Sequence, residues 1–213
     1  MQDHLVWGQV QRHIASLVPE REPEMQAMEA DAEATDFPII GPAAGQVCYQ
    51  IARMTGARRV FEMGSGFGYS TAWFARAVRE NGGGEVFHVV WDEALSARAK
   101  THLARLGLAD LVRFHVAEAV AALAATEGQF DLIFNDIDKD AYPASIPVIE
   151  TKLRRGGTLI VDNALLFGYV LDKDEHGPLT SGVREMVRLL TTNPRWITTL
   201  LPVRDGLVVA LRR

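Results

Sequence analysis

The sequence predicts a doubly wound α/β fold built on a mostly parallel sheet. Three observations predict it. Short runs rich in Val, Ile and Phe recur at Arg59–Met63, Glu85–Trp91, Val112–Val116, Phe130–Asn135 and Thr158–Val161. Helix-like stretches lie between them at 70–80, 93–106, 117–126 and 142–154, and strands alternating with helices make parallel βαβ units. After a further helix near 181–191, two strand-like runs, Trp196–Leu201 and Leu207–Leu211, flank Arg204-Asp205-Gly206, a hairpin turn that would close the sheet with an antiparallel pair.

Ahead of this alternation the pattern is helical. Val6, Val10, Ile14 and Leu17 recur at the spacing of an amphipathic helix. Residues 23–35 read as an acidic helix with Met25 and Met28 on one side as packing residues. Pro38 and Pro42 bracket a turn, and a third helix runs from Ala43 to Thr55. No repeat, low-complexity tract or linker divides the chain, so a single domain, 1–213, is expected. It comprises N-terminal helices over 1–56 and an α/β core over 57–213.

Composition narrows the function classes. Of 213 residues 48% are apolar, enough for a sizeable core. The net charge is −5, and seven acids against one base sit between Glu20 and Asp36. Without that segment 21 bases face 20 acids. No basic face emerges, and a nucleic-acid partner is not expected. Cys48 is the single cysteine, which excludes an internal disulfide and a multi-cysteine zinc site. No apolar run approaches a bilayer span and the start MQDHLVWGQV lacks a signal-peptide pattern. A soluble cytoplasmic protein is the expectation.

In open α/β sheets ligands bind beyond the carboxyl ends of the strands. The first strand runs into Glu62-Met63-Gly64-Ser65-Gly66-Phe67-Gly68-Tyr69-Ser70-Thr71. Gly64, Gly66 and Gly68 let the backbone turn sharply and approach a ligand, but Tyr69 breaks the GxGxxG dinucleotide pattern. A carboxylate at Glu62, inside a strand end, needs donors that a ligand's ammonium group would supply. The fourth strand runs into Phe134-Asn135-Asp136-Ile137-Asp138-Lys139-Asp140, and the fifth into Asp162-Asn163. Either could be a solvated or capping group alone. On neighbouring parallel strands, Asp136, Asp162 and Asn163 would together offer three oxygen ligands to a hard divalent cation.

Phe61–Thr71, Phe134–Tyr142 and Thr158–Asn163 carry a resemblance to the cation-dependent O-methyltransferases, the family of catechol and caffeoyl-CoA O-methyltransferases and their bacterial relatives. It extends from about Phe37 to the terminal Asp205–Arg213. The resemblance implies a Rossmann-like methyltransferase sheet and S-adenosylmethionine as cofactor. It places Glu62 and Gly64 at the methionine part, Ser70 nearby, and Ala119 and Asp138 on the cofactor side. It also implies a divalent cation, magnesium or else manganese or calcium, on Asp136, Asp162 and Asn163, with Lys139 as the catalytic base. The acceptor would be a small vicinally hydroxylated aromatic, and the assembly a homodimer. Only 4 of the 22 basic residues are lysine, so lysine at 139 is not a default choice.

The chain departs from the family at the second strand. An acidic residue for the cofactor's ribose is usual there, and this chain has Val90. Asp92, on the same face of an alternating strand, is the candidate to reach the ribose instead. Of the six histidines none forms a ligand pair, and His88, His102 and His115 read as packing or surface residues. Alternative readings are methylation of a hydroxylated nucleoside in RNA, a non-catalytic ligand-binding protein on the same fold, and a nicotinamide oxidoreductase, which the missing third glycine disfavours.

Overall fold

The computed structural model describes the backbone of residues 2–213 and side chains from Val6 onward. Three helices lead: α1 (Gln2–Ser16), α2 (Pro23–Thr35) and α3 (Gly41–Met54). The alternating part follows as β1 (Arg59–Met63), α4 (Tyr69–Glu80), β2 (Glu85–Val90), α5 (Glu93–Arg105), β3 (Val112–Val116), α6 (Ala119–Ala125), β4 (Phe130–Asn135), α7 (Tyr142–Lys152) and β5 (Leu153–Val161). It ends with α8 (Pro178–Thr192), β6 (Trp196–Leu201) and β7 (Leu207–Arg212). The sheet has seven strands in the order β3-β2-β1-β4-β5-β7-β6. Its first five strands are parallel, and β7 runs antiparallel between β5 and β6. The expected antiparallel closing pair and leading helices are both present.

Period-two alternation divides the strands between two cores. Val60, Val86, Leu132, Phe134 and Ile160 face α3, α4 and α5, where Cys48, Trp73, Phe74 and Leu103 are buried against them. Phe61, Met63, Phe87, Val89, Ile133 and Val161 face α6, α7 and α8, with Leu123, Ile149, Val183 and Met186. With both faces covered, the central strands read as continuous apolar runs.

Several expected boundaries move. Strand β5 begins at Leu153, and α7 ends at Lys152 instead of 154. The extra strand residues pair Phe130 with Leu153 across a register shift, and their polar, glycine-containing sequence hides them. Pro42 lies in the first turn of α3, where its missing N–H costs nothing. Likewise α8 starts at Pro178, one turn early. Helix α1 forms, but its expected buried stripe is largely open: Val6, Val10 and Leu17 are exposed. Met25 and Met28 do pack, both almost fully buried.

The acidic segment finds its counterions within the chain. Glu24 meets His102 at 2.7 Å and Arg105 at 3.2 Å, Asp31 pairs with Arg98, and Glu29 takes Arg21 and the Tyr69 hydroxyl, each at 2.7 Å. Helix α2 is thereby tied to α4 and α5, leading the chain to Phe37–Ile40 beside the glycine turn. Among the described residues no helix is long and apolar enough to cross a membrane.

Candidate active site

The chain runs outward from β1 to β2 and β3, then returns to lay β4 on the other side of β1. Where the direction reverses, the loops after β1 and β4 diverge and leave a crevice. A shallow cleft opens there, lined among others by Phe37, Ile39, Gly64, Gly66, Ser70 and Asp136. Gly64, at φ +84°, has no room for a side chain: a Cβ would stand 2.4 Å from the Asp136 carbonyl oxygen. The first loop is thereby seated on the loop that carries Asp136. Gly66 faces the Phe37 ring, Gly68 caps α4 against Ala99, and Ser70 is buried in the first turn of α4.

Glu62 is fully buried on β1. Burial pushes its carboxyl up to about 7, against the pull of the Ser70, Thr71 and Ser65 hydroxyls. Thr71 donates to Oε2 at 2.5 Å, while Oε1 has no partner among the described residues. An orphaned buried carboxylate oxygen beside a glycine-walled cleft suits a cationic ligand group.

Strands β4 and β5 are paired with Asn135 opposite Val161, so Asp136 and Asp162 leave the sheet side by side. Lys139 Nζ donates to Asp136 Oδ1 at 2.7 Å and to the Ile137 carbonyl at 3.2 Å. Asp162 is almost wholly buried. Its Oδ1 lacks a partner among the described residues, and its Oδ2 lies 3.6 Å from Arg204 Nη1. Burial, then the neighbouring Asp136, pushes the Asp162 carboxyl up to about 7. Asp136 is also raised by burial, with Lys139 opposing. Asn163, at φ +54°, donates Nδ2 to Asp205 Oδ2 at 2.8 Å, which leaves its carbonyl oxygen to a ligand.

The described residues include no group of three or more His, Cys, Asp or Glu placed to hold a metal ion. Two carboxylates and one amide oxygen are nevertheless a hard-oxygen donor set. The bare Asp162 oxygen and the raised carboxyls mark a place where added positive charge would be favourable. The residues fit a divalent cation.

Some of this architecture carries no local sequence signal. Asp205, expected only as a turn residue, is buried and also accepts the Phe167 N–H at 2.6 Å, holding the loop after β5. The Tyr142 hydroxyl donates to the Asp162 carbonyl at 3.0 Å. Gly182 on α8 lets that helix lie on the Lys139 backbone, since a Cβ would fall 2.2 Å from the Lys139 carbonyl oxygen.

The end of β2 requires a correction. The strand stops at Val90, so Asp92 is no longer on an alternating strand face. Asp92 is exposed and caps α5, accepting the Leu95 N–H at 2.8 Å. One of its oxygens is committed to the helix, and Val90 is buried. Ala119 begins α6, just after Ala117 has closed onto the Val90 carbonyl at 3.1 Å. Asp138 is exposed at the start of the short turn carrying Lys139. The site thus gathers Glu62, the glycines and Ser70 on one side, and Asp136, Lys139, Asp162 and Asn163 on the other. His102 and His115 are, as expected, a packing and a surface residue, whereas buried His88 bonds to Thr71.

A seven-stranded sheet of this topology, with a glycine cradle and an acidic edge at its switch point, defines a ligand-binding enzyme of the Rossmann-like methyltransferase class. A family model described as O-methyltransferase matches residues 22–213, and the chain belongs to that family. A catechol O-methyltransferase of Niastella koreensis is 29% identical over 218 residues, covering 97% of each chain. One of Mycobacterium tuberculosis is 30% identical over 200 residues and 90% of each. Among solved structures, the O-methyltransferase TomG of Streptomyces achromogenes in complex with SAM superposes with a TM-score of 0.86. It is 27% identical, covering 100% of this chain and 99% of that one. The O-methyltransferase of Bacillus cereus in complex with SAH gives 0.86 at 26% identity, covering 98% and 99%. The protein is an S-adenosylmethionine-dependent O-methyltransferase.

Proposed function

We propose that the protein methylates one hydroxyl of a small vicinally hydroxylated aromatic, with a divalent cation held by Asp136, Asp162 and Asn163. The observation that carries this is the pair of adjacent strand-end carboxylates, one with a bare buried oxygen, and a lysine 2.7 Å from the other. The names of the two catechol O-methyltransferase relatives support the acceptor class.

S-adenosylmethionine supplies the methyl group on a sulfonium. Glu62 receives the cofactor's ammonium group at Oε1, and the Gly64–Gly68 turn admits its amino-acid end beside Ser70. The cation, when bound, favours the ionised form of an acceptor hydroxyl. Lys139, positioned by Asp136 and by the α8 contact at Gly182, takes the hydroxyl proton in its neutral amine form, after its own proton has left to solvent. Phe37 and Ile39 wall the cleft and exclude water. Much of the rate then comes from alignment of the two reactants.

Titration calorimetry of magnesium into the protein with S-adenosylhomocysteine tests the cation site. Binding is expected for the wild type and its loss for Asp162→Ala in a chain that still folds. Equal magnesium binding by both would refute the assignment.

A further inference from the structure

His88 is a buried titratable group that the proposed chemistry leaves unused. It lies on β2 directly opposite Glu62 on β1, in register across the parallel pair. Thr71, on α4 above both strands, bridges them: its Oγ1 is 2.5 Å from Glu62 Oε2 and 2.9 Å from His88 Nδ1. His88 has no solvent exposure, its Nε2 has no partner among the described residues, and its ring packs 5.3 Å from that of Phe114. Burial, with Lys100 and His115 adding to it, pushes its pKa down to about 3, so the ring is neutral and carries one N–H.

A threonine hydroxyl has one proton and can donate it in one direction only. With the ring proton on Nδ1, His88 donates to Thr71, and Thr71 donates to Glu62 Oε2, a bond that is stronger to a carboxylate than to the neutral acid. With the ring proton on Nε2, a buried N–H lacks an acceptor. Thr71 then donates to Nδ1, and Glu62 can bond to Thr71 only as a protonated acid. The position of one imidazole proton therefore decides whether Glu62 Oε2 receives a hydrogen bond that favours its charged form.

We infer that His88 is a positioning residue for the cofactor: its Nδ1–H orients the Thr71 hydroxyl onto Glu62 and so favours the carboxylate that receives the cofactor's ammonium group. The inference rests on the proposed role of Glu62. It follows from three side chains on three successive elements, which the register of β1 on β2 and the packing of α4 bring together.

The test compares two probes by calorimetry: S-adenosylhomocysteine, and methylthioadenosine, which lacks the amino-acid end. Glu62→Gln should weaken the first by about 10- to 100-fold, the range of a charge-assisted bond, and leave the second within about threefold. His88→Phe, which keeps a ring without a donor, and Thr71→Val should show the same selectivity with losses of about tenfold. His88→Asn, with an amide N–H near the Nδ1 position, and Thr71→Ser should return affinity to within about threefold of wild type. In the wild-type complex with S-adenosylhomocysteine, the nitrogen-15 spectrum of the His88 ring should show a protonated Nδ1 and a bare Nε2. Equal loss of both probes in His88→Phe and Thr71→Val, no loss in either variant, or a protonated Nε2 would overturn the inference. If Glu62→Gln binds S-adenosylhomocysteine normally, the role of Glu62 falls and the inference with it. If only the His88 and Thr71 results fail, the role of Glu62 stands alone.

Discussion

Glu62→Gln should change stability and cofactor affinity in ways that separate with pH. The wild-type carboxyl is fully buried and raised from 4.5 to about 7. Between those values the native state keeps a proton that the unfolded chain has released, so stability falls as pH rises. At about 1.36 kcal/mol per unit, the fall attributable to Glu62 is about 3 kcal/mol from below pH 4.5 to above pH 7. Glutamine does not titrate and keeps an oxygen for the Thr71 hydroxyl, but its amide N–H takes the unpartnered Oε1 position, a cost of about 1–3 kcal/mol. The variant should therefore be less stable than wild type near pH 5 and as stable or more so near pH 8. The gap between the two proteins should move by about 2.5 kcal/mol between pH 5 and pH 8. Urea denaturation at both pH values measures it, alongside titration with S-adenosylhomocysteine, whose binding should weaken. Stability curves that run parallel across pH would refute the burial of an isolated carboxyl at Glu62.

Further outcomes are expected at the opposite side of the cleft and at the cofactor's ribose. Lys139→Ala should lower methyl transfer by roughly 10²–10⁴, and Lys139→Arg should not restore it, because guanidinium holds its proton at working pH. Near-normal turnover with arginine would reduce Lys139 to a fixed charge. Arg204 has a positive φ of 52° and a guanidinium 3.6 Å from Asp162. Arg204→Gly should relieve about 1–2 kcal/mol of backbone cost and tighten magnesium binding several-fold, whereas weaker binding would make Arg204 part of the cation site. Asp92→Asn keeps the capping oxygen and removes the charge. It should weaken S-adenosylhomocysteine about tenfold with little change in melting temperature, as loss of a charged acceptor for ribose hydroxyls requires. Unchanged affinity would place the ribose elsewhere.

The strands were legible because each central one is a short apolar run bounded by polar or glycine residues, the mark of a strand covered on both faces. Asp136 and Asp162 were legible for the same reason, since each directly follows such a run and neighbouring parallel strands bring their ends together. The first half of β5 was not, because Arg154-Arg155-Gly156-Gly157 carries neither alternation nor apolar character. Asp92 does not share a strand face with Val90, because alternation holds only while a strand continues, and β2 stops at Val90. Asp205 reaches Asn163 across 42 residues, and His88 meets Thr71 only through the packing of α4 on the sheet. Such contacts arise from tertiary geometry and leave no trace in local sequence. The exposed stripe of α1 shows the converse, a clear period whose apolar face the chain itself does not bury.

The proposed use of a cation is tested most directly by methyl transfer from S-adenosylmethionine to a catechol acceptor, followed by mass spectrometry in magnesium and in excess chelator. Monomethylated product is expected with magnesium, with turnover lost in chelator and restored when magnesium is returned. Undiminished turnover in chelator would contradict the role assigned to Asp136, Asp162 and Asn163.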